Sequence, residues 1–319
     1  MSNPLAIATV TATLRNLLLQ GFSSGGLVIG LVQLFGVGLV VAWAGVVVYT
    51  ARSLGRVPRY TYASAVARGR PGDPSELDRP AVFREWQVSA WDCRVWTIEG
   101  DDPDGPVVVM THGWSRSGIA ALVRFEALRG SVSKVVVWDL PGHGESGGRC
   151  LLGAGEARAL VEIVEQVGGP VVLYGWSMGA GVSIEAAVKL GEQVVRGVVA
   201  EAPYALPVTP AKNVMREMGV HWRFTLRPAL FLAGLTRPRG PLWRGFDRRA
   251  MAAGLDVPLL VVHGDADAIC PVEDGEAIAE AALRGEFARI DGGTHDGLWV
   301  DELTRGRMVE VVRGFLRSG

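Results

Sequence analysis

The hydrophobic positions of the chain fall into two regimes. Between Arg15 and Arg52 no charged side chain occurs, and Leu27 to Val48 is apolar apart from Gln33 and several glycines. These 22 residues, rising about 1.5 Å each, span roughly 33 Å as a helix, enough for a hydrocarbon core of about 30 Å. No polar face recurs at helical spacing, which argues against a buried core helix. The pattern predicts a transmembrane helix over about 27–48 within an anchor at 1–52, with Trp43 and Tyr49 at the interfacial end. A cleaved signal peptide is the alternative, because Ala42-Trp43-Ala44 has a small-x-small form, although Gly45 to Val48 continue the apolar run past it. A second apolar stretch, 5–20, contains Arg15 and Asn16 and either extends the anchor or lies flat on the membrane.

Residues 69–80 mix proline, glycine and charge, so 53–80 reads as a solvated linker and the folded domain as 81–319. From there short β-branched runs alternate with longer amphipathic stretches. Val107 to Met110, Val135 to Trp138, Val171 to Tyr174, Val194 to Val199 and Pro258 to Val262 read as buried parallel strands. Val82 to Val88 and Arg94 to Glu99 read as an antiparallel edge pair, and Phe287 to Ile290 as a last strand. Helices are predicted at about 117–129, 155–167, 178–190, 274–284 and 301–317. This rhythm predicts an α/β fold, a mostly parallel sheet flanked by helices. Residues 204–253 break it with five prolines and with Trp222, Phe224, Phe231 and Trp243, the pattern of a cap inserted over a site.

Charge and cysteine content narrow the partners. With 32 basic and 33 acidic residues the chain offers no overall nucleic-acid surface. Arg52, Arg56, Arg59, Arg68 and Arg70 follow the apolar helix, whereas Arg15 and the amino terminus precede it, so a single-pass protein with its folded domain in the cytoplasm is expected. Gly26 and Gly30 have the small-xxx-small spacing of a pairing face, which suits a homodimer. Cys93, Cys150 and Cys270 are too few and too far apart for a disulfide framework or a tetrahedral metal site. No P-loop or helix-opening G-x-G-x-x-G occurs, so no cofactor and no metal is implied.

The chemistry centres on Gly175-Trp176-Ser177-Met178-Gly179, a G-x-S-x-G set between an apolar strand and a helix. A nucleophile on so sharp a turn leaves no room for side chains two positions to either side, hence the glycines. His112-Gly113-Trp114 follows an earlier strand, from which a backbone amide can reach an oxyanion. The expected oxyanion hole is therefore the amides of Trp114 and Met178. His112 itself is expected to support its loop. After the strand ending at Val262, Asp265 and Asp267 both offer carboxylates; Asp267 is preferred as the acid, with Asp265 as a turn residue. His295, in the loop Gly292-Gly293-Thr294-His295-Asp296, completes the order Ser, Asp, His.

These residues resemble the α/β-hydrolase superfamily over about 81–319, as does Asp139-Leu140-Pro141-Gly142-His143-Gly144-Glu145-Ser146, similar to a loop that shapes the fold in many members. The resemblance implies an α/β-hydrolase fold, and a serine at 177 sets the chain apart from the haloalkane dehalogenase and epoxide hydrolase branches, which carry aspartate there. The anchor, the Gly-Trp-Ser-Met-Gly elbow and Glu201-Ala202-Pro203-Tyr204 are similar to the membrane-bound Bem46-like subgroup, whose Asn-rich segment is replaced here by Trp114-Ser115-Arg116-Ser117. The expectation is a serine hydrolase for ester or thioester bonds of membrane-associated acyl lipids. Alternatives are a tethered hydrolase or perhydrolase of small soluble substrates and a non-catalytic scaffold.

Overall fold

The computed structural model describes residues 24–318. The chain divides between Thr50 and Ala51 into two compact units. Helix α1 (Ser24–Gly55) begins in the first. Among the described residues it is the one helix long and apolar enough to cross a membrane, over Val28–Gly55, a test that a signal sequence also passes. The apolar stretch 5–20 lies outside the described residues.

The second unit opens with a short helix α2 (Tyr62–Val66), started by a capping box in which the Thr61 hydroxyl accepts from the Ser64 amide and the Ser64 hydroxyl from the Thr61 amide. Residues 69–80, expected as a solvated linker, are instead tied to the domain. Leu77, the one large apolar side chain in that run, is only 5% exposed in the core, and Glu76 accepts from the Tyr62 hydroxyl. The remaining elements are β1 (Phe83–Val88), β2 (Cys93–Glu99), β3 (Val107–Thr111), α3 (Leu122–Leu128), β4 (Lys134–Trp138), α4 (Ala157–Val167), β5 (Val171–Trp176), α5 (Met178–Leu190) and β6 (Val195–Glu201). They continue with α6 (Val208–Glu217), α7 (Leu226–Gly234), α8 (Arg248–Ala252), β7 (Leu259–Gly264), α9 (Val272–Ala281), β8 (Gly285–Ile290) and α10 (Glu302–Ser318).

The eight strands form one sheet in the order β1-β2-β4-β3-β5-β6-β7-β8. β1 and β2 pair antiparallel, β2 joins β4 antiparallel, and the rest of the sheet is parallel. Both faces are covered, which is why the strands read as continuous apolar runs. Val109, Val136 and Leu173 point into a cluster with Leu160, Val182 and Ile278, while Val108, Val137 and Val172 point into another with Phe125, Met308 and Val312. Strands β5, β6 and β7 run past their apolar stretches to Trp176, Glu201 and Gly264, because backbone pairing continues through Trp176↔Glu201 and Gly264↔Ile290 where the hydrophobic pattern stops.

The sheet order reverses between β3 and β5, and the crevice outside the carboxyl ends of such strands is where α/β sheets hold ligands. The loops leaving β3, β5, β7 and β8 meet there. Helices α6, α7 and α8 make up the 204–253 insertion, with Met215, Leu226 and Leu230 forming a small cluster of their own. Leu77→Ala is expected to lower the unfolding free energy by about 2–5 kcal/mol, measured by thermal or denaturant melts in detergent, whereas a leucine in a solvated linker would cost within about 0.5 kcal/mol.

Candidate active site

Ser177 lies between the end of β5 and the start of α5 with φ 56° and ψ −112°, a backbone region that side chains rarely enter. The close approach of neighbouring backbone forces the flanking residues to be glycine. A Cβ on Gly175 would stand 2.2 Å from the Gly179 carbonyl oxygen, and one on Gly179 would stand 2.2 Å from that of Thr111. The Ser177 amide donates to the Glu201 carbonyl at 2.8 Å, which pins the turn to the next strand.

Three side chains from three loops converge on this turn. His295 Nε2 lies 3.1 Å from Ser177 Oγ, and His295 Nδ1 lies 2.7 Å from Asp267 Oδ2. Asp267 Oδ1 accepts from the amides of Ile269 and Cys270, both at 2.8 Å, so this carboxylate is held from both sides. Asp265 serves its own loop instead, accepting from the Gly292 amide at 2.7 Å. The structure thus brings Ser177, His295 and Asp267 together and leaves Asp265 outside.

The two candidate oxyanion donors belong to segments next to the serine. Met178 opens α5, where first-turn amides have no intrahelical acceptor. The loop of Trp114 passes close enough that a Cβ on Gly113 would stand 3.3 Å from the Ser177 Cβ. His112 is buried and bonds inward, with Nδ1 donating to the Gly113 carbonyl at 2.7 Å and Nε2 accepting from the Leu140 amide at 3.0 Å. Burial pushes its pKa down to about 4, keeping it a neutral loop support. His143 is likewise buried, donates to the Pro141 carbonyl at 3.1 Å, and is pushed down to about 3, by burial first and His112 second. Its loop is organised by Asp139, which accepts from the amides of Gly118 at 2.6 Å and Glu145 at 2.8 Å and pairs with Arg94 at 3.1 Å.

Burial alone would raise the Asp267 pKa. Hydrogen bonds from His263 and His295, the His295 charge and the Cys270 amide outweigh it and hold this carboxyl well below the usual range. Burial also disfavours a charged His295, yet the Cys270 sulfur and the Asp267 carboxylate outweigh it, so the His295 pKa is raised above its ordinary 6.5. The fully buried Cys270 thiol touches this group: among the described residues, donor atoms of Asp267, Cys270 and His295 lie within 4.8 Å of one another. Among the described residues that is the one set with metal-ligating chemistry, and its imidazole and carboxylate are already committed to each other.

Behind the turn lies a buried polar network that no local pattern announced. Glu201 takes two hydrogen bonds from the Arg124 guanidinium, one from the Tyr174 hydroxyl and one from the Trp299 indole at 3.0 Å. Its backbone holds Ser177, while Trp299 lies four residues beyond His295. Arg124 stacks 4.6 Å over Trp176, whose ring centre is 5.9 Å from that of His295. Arg248, fully buried on α8, reaches the carbonyls of Ser177 at 3.5 Å and Met178 at 3.3 Å from the cap side. Glu201 stood out in the sequence only within its Glu-Ala-Pro-Tyr run, and Arg124 and Arg248 carried no signal.

A strand-turn-helix serine, a histidine and a carboxylate at the carboxyl edge of a mostly parallel sheet define the α/β hydrolase class. Residues 108–309 match the alpha/beta hydrolase family, and the chain belongs to it. It is 29% identical over 258 residues to a pimeloyl-[acyl-carrier protein] methyl ester esterase of Methylococcus capsulatus, covering 67% of this chain and 96% of that protein. It is 26% identical over 230 residues to the biotin biosynthesis bifunctional protein BioHC of Cellvibrio japonicus, covering 61% of this chain and 45% of that longer protein. In fold it resembles an esterase of Pyrococcus furiosus, with TM-score 0.62, 17% identity, and 83% and 98% of the two chains covered. It also resembles the esterase RhEst1 of Rhodococcus sp., with TM-score 0.53, 22% identity, and 74% and 98% covered.

Arg124→Met strands the Glu201 carboxylate in the interior, and a loss of about 3–5 kcal/mol of stability is expected. Melts of the full chain in detergent measure it, and adding Glu201→Gln should recover part of the loss by removing the unpaired charge.

Proposed function

We propose that the chain is a serine hydrolase that cleaves carboxylic ester or thioester bonds through an acyl-enzyme on Ser177, acting on acyl substrates presented at a membrane. The observation that carries this reading is the continuous hydrogen-bonded chain from Asp267 through His295 to Ser177. With Nδ1–H donating to Asp267, the Nε2 lone pair of His295 faces the serine hydroxyl. Nε2 takes the Oγ proton as Oγ bonds to the acyl carbon, and the carbonyl pair moves onto oxygen, where the amides of Trp114 and Met178 donate to it. Collapse of this intermediate expels the alkoxide or thiolate, which leaves with the proton from Nε2. Water then gives a proton to Nε2 and attacks the acyl carbon, releasing the acid and restoring the serine.

The methyl ester esterase among its relatives supports ester cleavage. The long apolar helix, the arginines that follow it and the likeness to the Bem46-like subgroup support a single-pass anchor with the catalytic domain in the cytoplasm. Anchoring raises the local concentration of membrane-borne substrate without a new contact.

Reaction of the detergent-solubilised chain with a fluorophosphonate, read by mass spectrometry, tests the nucleophile. Ser177 is expected to be labelled. Labelling should vanish in Ser177→Ala, fall steeply in His295→Ala, and survive in Asp265→Asn, while Asp267→Asn should lower kcat by about 10⁴-fold. A folded sample in which no serine reacts overturns the proposal. The base works only when neutral and its pKa is raised, so activity should fall as pH drops through a midpoint above the ordinary histidine value of 6.5. A pH profile of kcat/KM measures that limb, which should move down in Asp267→Asn because a group that favours the imidazolium is gone.

A further inference from the structure

We propose that the outer face of the cap docks on an anionic lipid surface. The cap's charge is one ground for this. Nine of the chain's 32 basic residues but only two of its 33 acidic ones, Glu217 and Asp247, fall within 204–253. The insertion is therefore strongly cationic, while the rest of the chain is net acidic.

Exposure of the cap is the other ground. From Arg216 to Phe224 every residue except Trp222 is exposed, and the run includes Met218 at 72%, Val220 and Phe224 at 79%. Helix α7 continues this surface. It buries Leu226, Ala229, Leu230 and Ala233, and turns Arg227 and Phe231, followed by Leu235 just past its end, to the opposite stripe. Leu242 is exposed as well. Among the described residues, the exposed Arg216, Arg223, Arg227 and Arg244 make no ion pair with a carboxylate of this chain.

Apolar side chains that enter an acyl boundary, flanked by guanidinium groups that stay in the headgroup layer, are what an interfacial segment requires. A bilayer is the occupant that fits, because arginines flanking membrane-inserting side chains attract anionic headgroups within a Debye length. The same polypeptide carries a helix able to span a bilayer, which would keep that surface at hand. The inner side of the cap reaches the site: Asn213 donates to the Ile269 carbonyl at 2.8 Å, in the loop that carries Asp267. Acyl chains gathered at the outer face would thus lie beside the loops of the proposed active site. The inference rests on the membrane reading of the anchor and not on the hydrolase chemistry.

The three native cysteines are buried, so a cysteine introduced at an exposed position takes a thiol-reactive environment-sensitive dye selectively. Met218→Cys and Phe224→Cys in the full chain would carry the dye, with Leu303→Cys, 96% exposed on α10, as reference. Each is mixed with phosphatidylcholine vesicles, with or without phosphatidylglycerol. The expected result is a blue shift and protection from an aqueous quencher at 218 and 224 only when phosphatidylglycerol is present. The response should be lost at high salt and in Arg223→Glu/Arg227→Glu. Dyes at 218 and 224 that behave like the one at 303, or respond equally without the anionic lipid, overturn the proposal. Flotation with pure phosphatidylcholine vesicles reports the anchor separately, and hydrolysis of a short soluble ester, expected to be unchanged by these substitutions, reports the active site separately.

Discussion

A backbone at φ 56° and ψ −112° costs on the order of 1–3 kcal/mol for a residue with a side chain, and Ser177 is held there by its surroundings. Strand β5, buried along its whole length, delivers the chain to the turn, and α5 carries it away beneath the cap. Glycine at 175 and 179 lets the two limbs and the Thr111 backbone come within contact distance. If the turn relaxed, Oγ would leave the Nε2 of His295, and the Met178 amide would no longer open a helix beside it. The loops from β3, β7 and β8 are arranged around this one strained residue.

The buried charges around the turn extend that constraint. Glu201 and Arg124 lose their hydration in the interior, and such a pair is stable only when its remaining donors and acceptors are satisfied. Tyr174 and Trp299 satisfy Glu201, and a carbonyl accepts from Arg124 Nη1. The network joins the strand that precedes the serine, the strand that holds its amide, and the segment after His295. Its geometry therefore couples the position of the histidine loop to that of the nucleophile. The Asp267 loop is set from another direction, by the amides of Ile269 and Cys270 and by the cap through Asn213.

The chain has two parts of unlike composition. Its apolar amino-terminal helix has no polar face, while its catalytic unit has two packed cores on either side of one sheet. The cap presents aromatic and aliphatic side chains outward beside Arg216, Arg223, Arg227 and Arg244, which among the described residues make no ion pair with a carboxylate. Single exposed apolar residues elsewhere on the domain, such as Val82 and Leu303, are ordinary for a protein surface.

The sequence by itself determined the α/β class, the order of the strands along the chain, the elbow at Ser177 and the two loops carrying Asp267 and His295. These are local matters: β-branched runs mark strands, glycine marks the steric limits of the turn, and polar, glycine-rich composition marks the loop after each strand. It favoured Asp267 over Asp265 without settling which faces the histidine, since both lie in one loop with the same propensity. The packed loop decided it, turning one carboxylate to Gly292 and the other to His295. Leu77 reads with its charged neighbours as linker because a lone apolar residue has no periodicity, and only the finished core revealed its place. Arg124 and Glu201, 77 residues apart, meet only because α3 packs against the sheet beside the end of β6. The tertiary structure alone makes such a pairing, because no spacing rule along a chain encodes a contact across it.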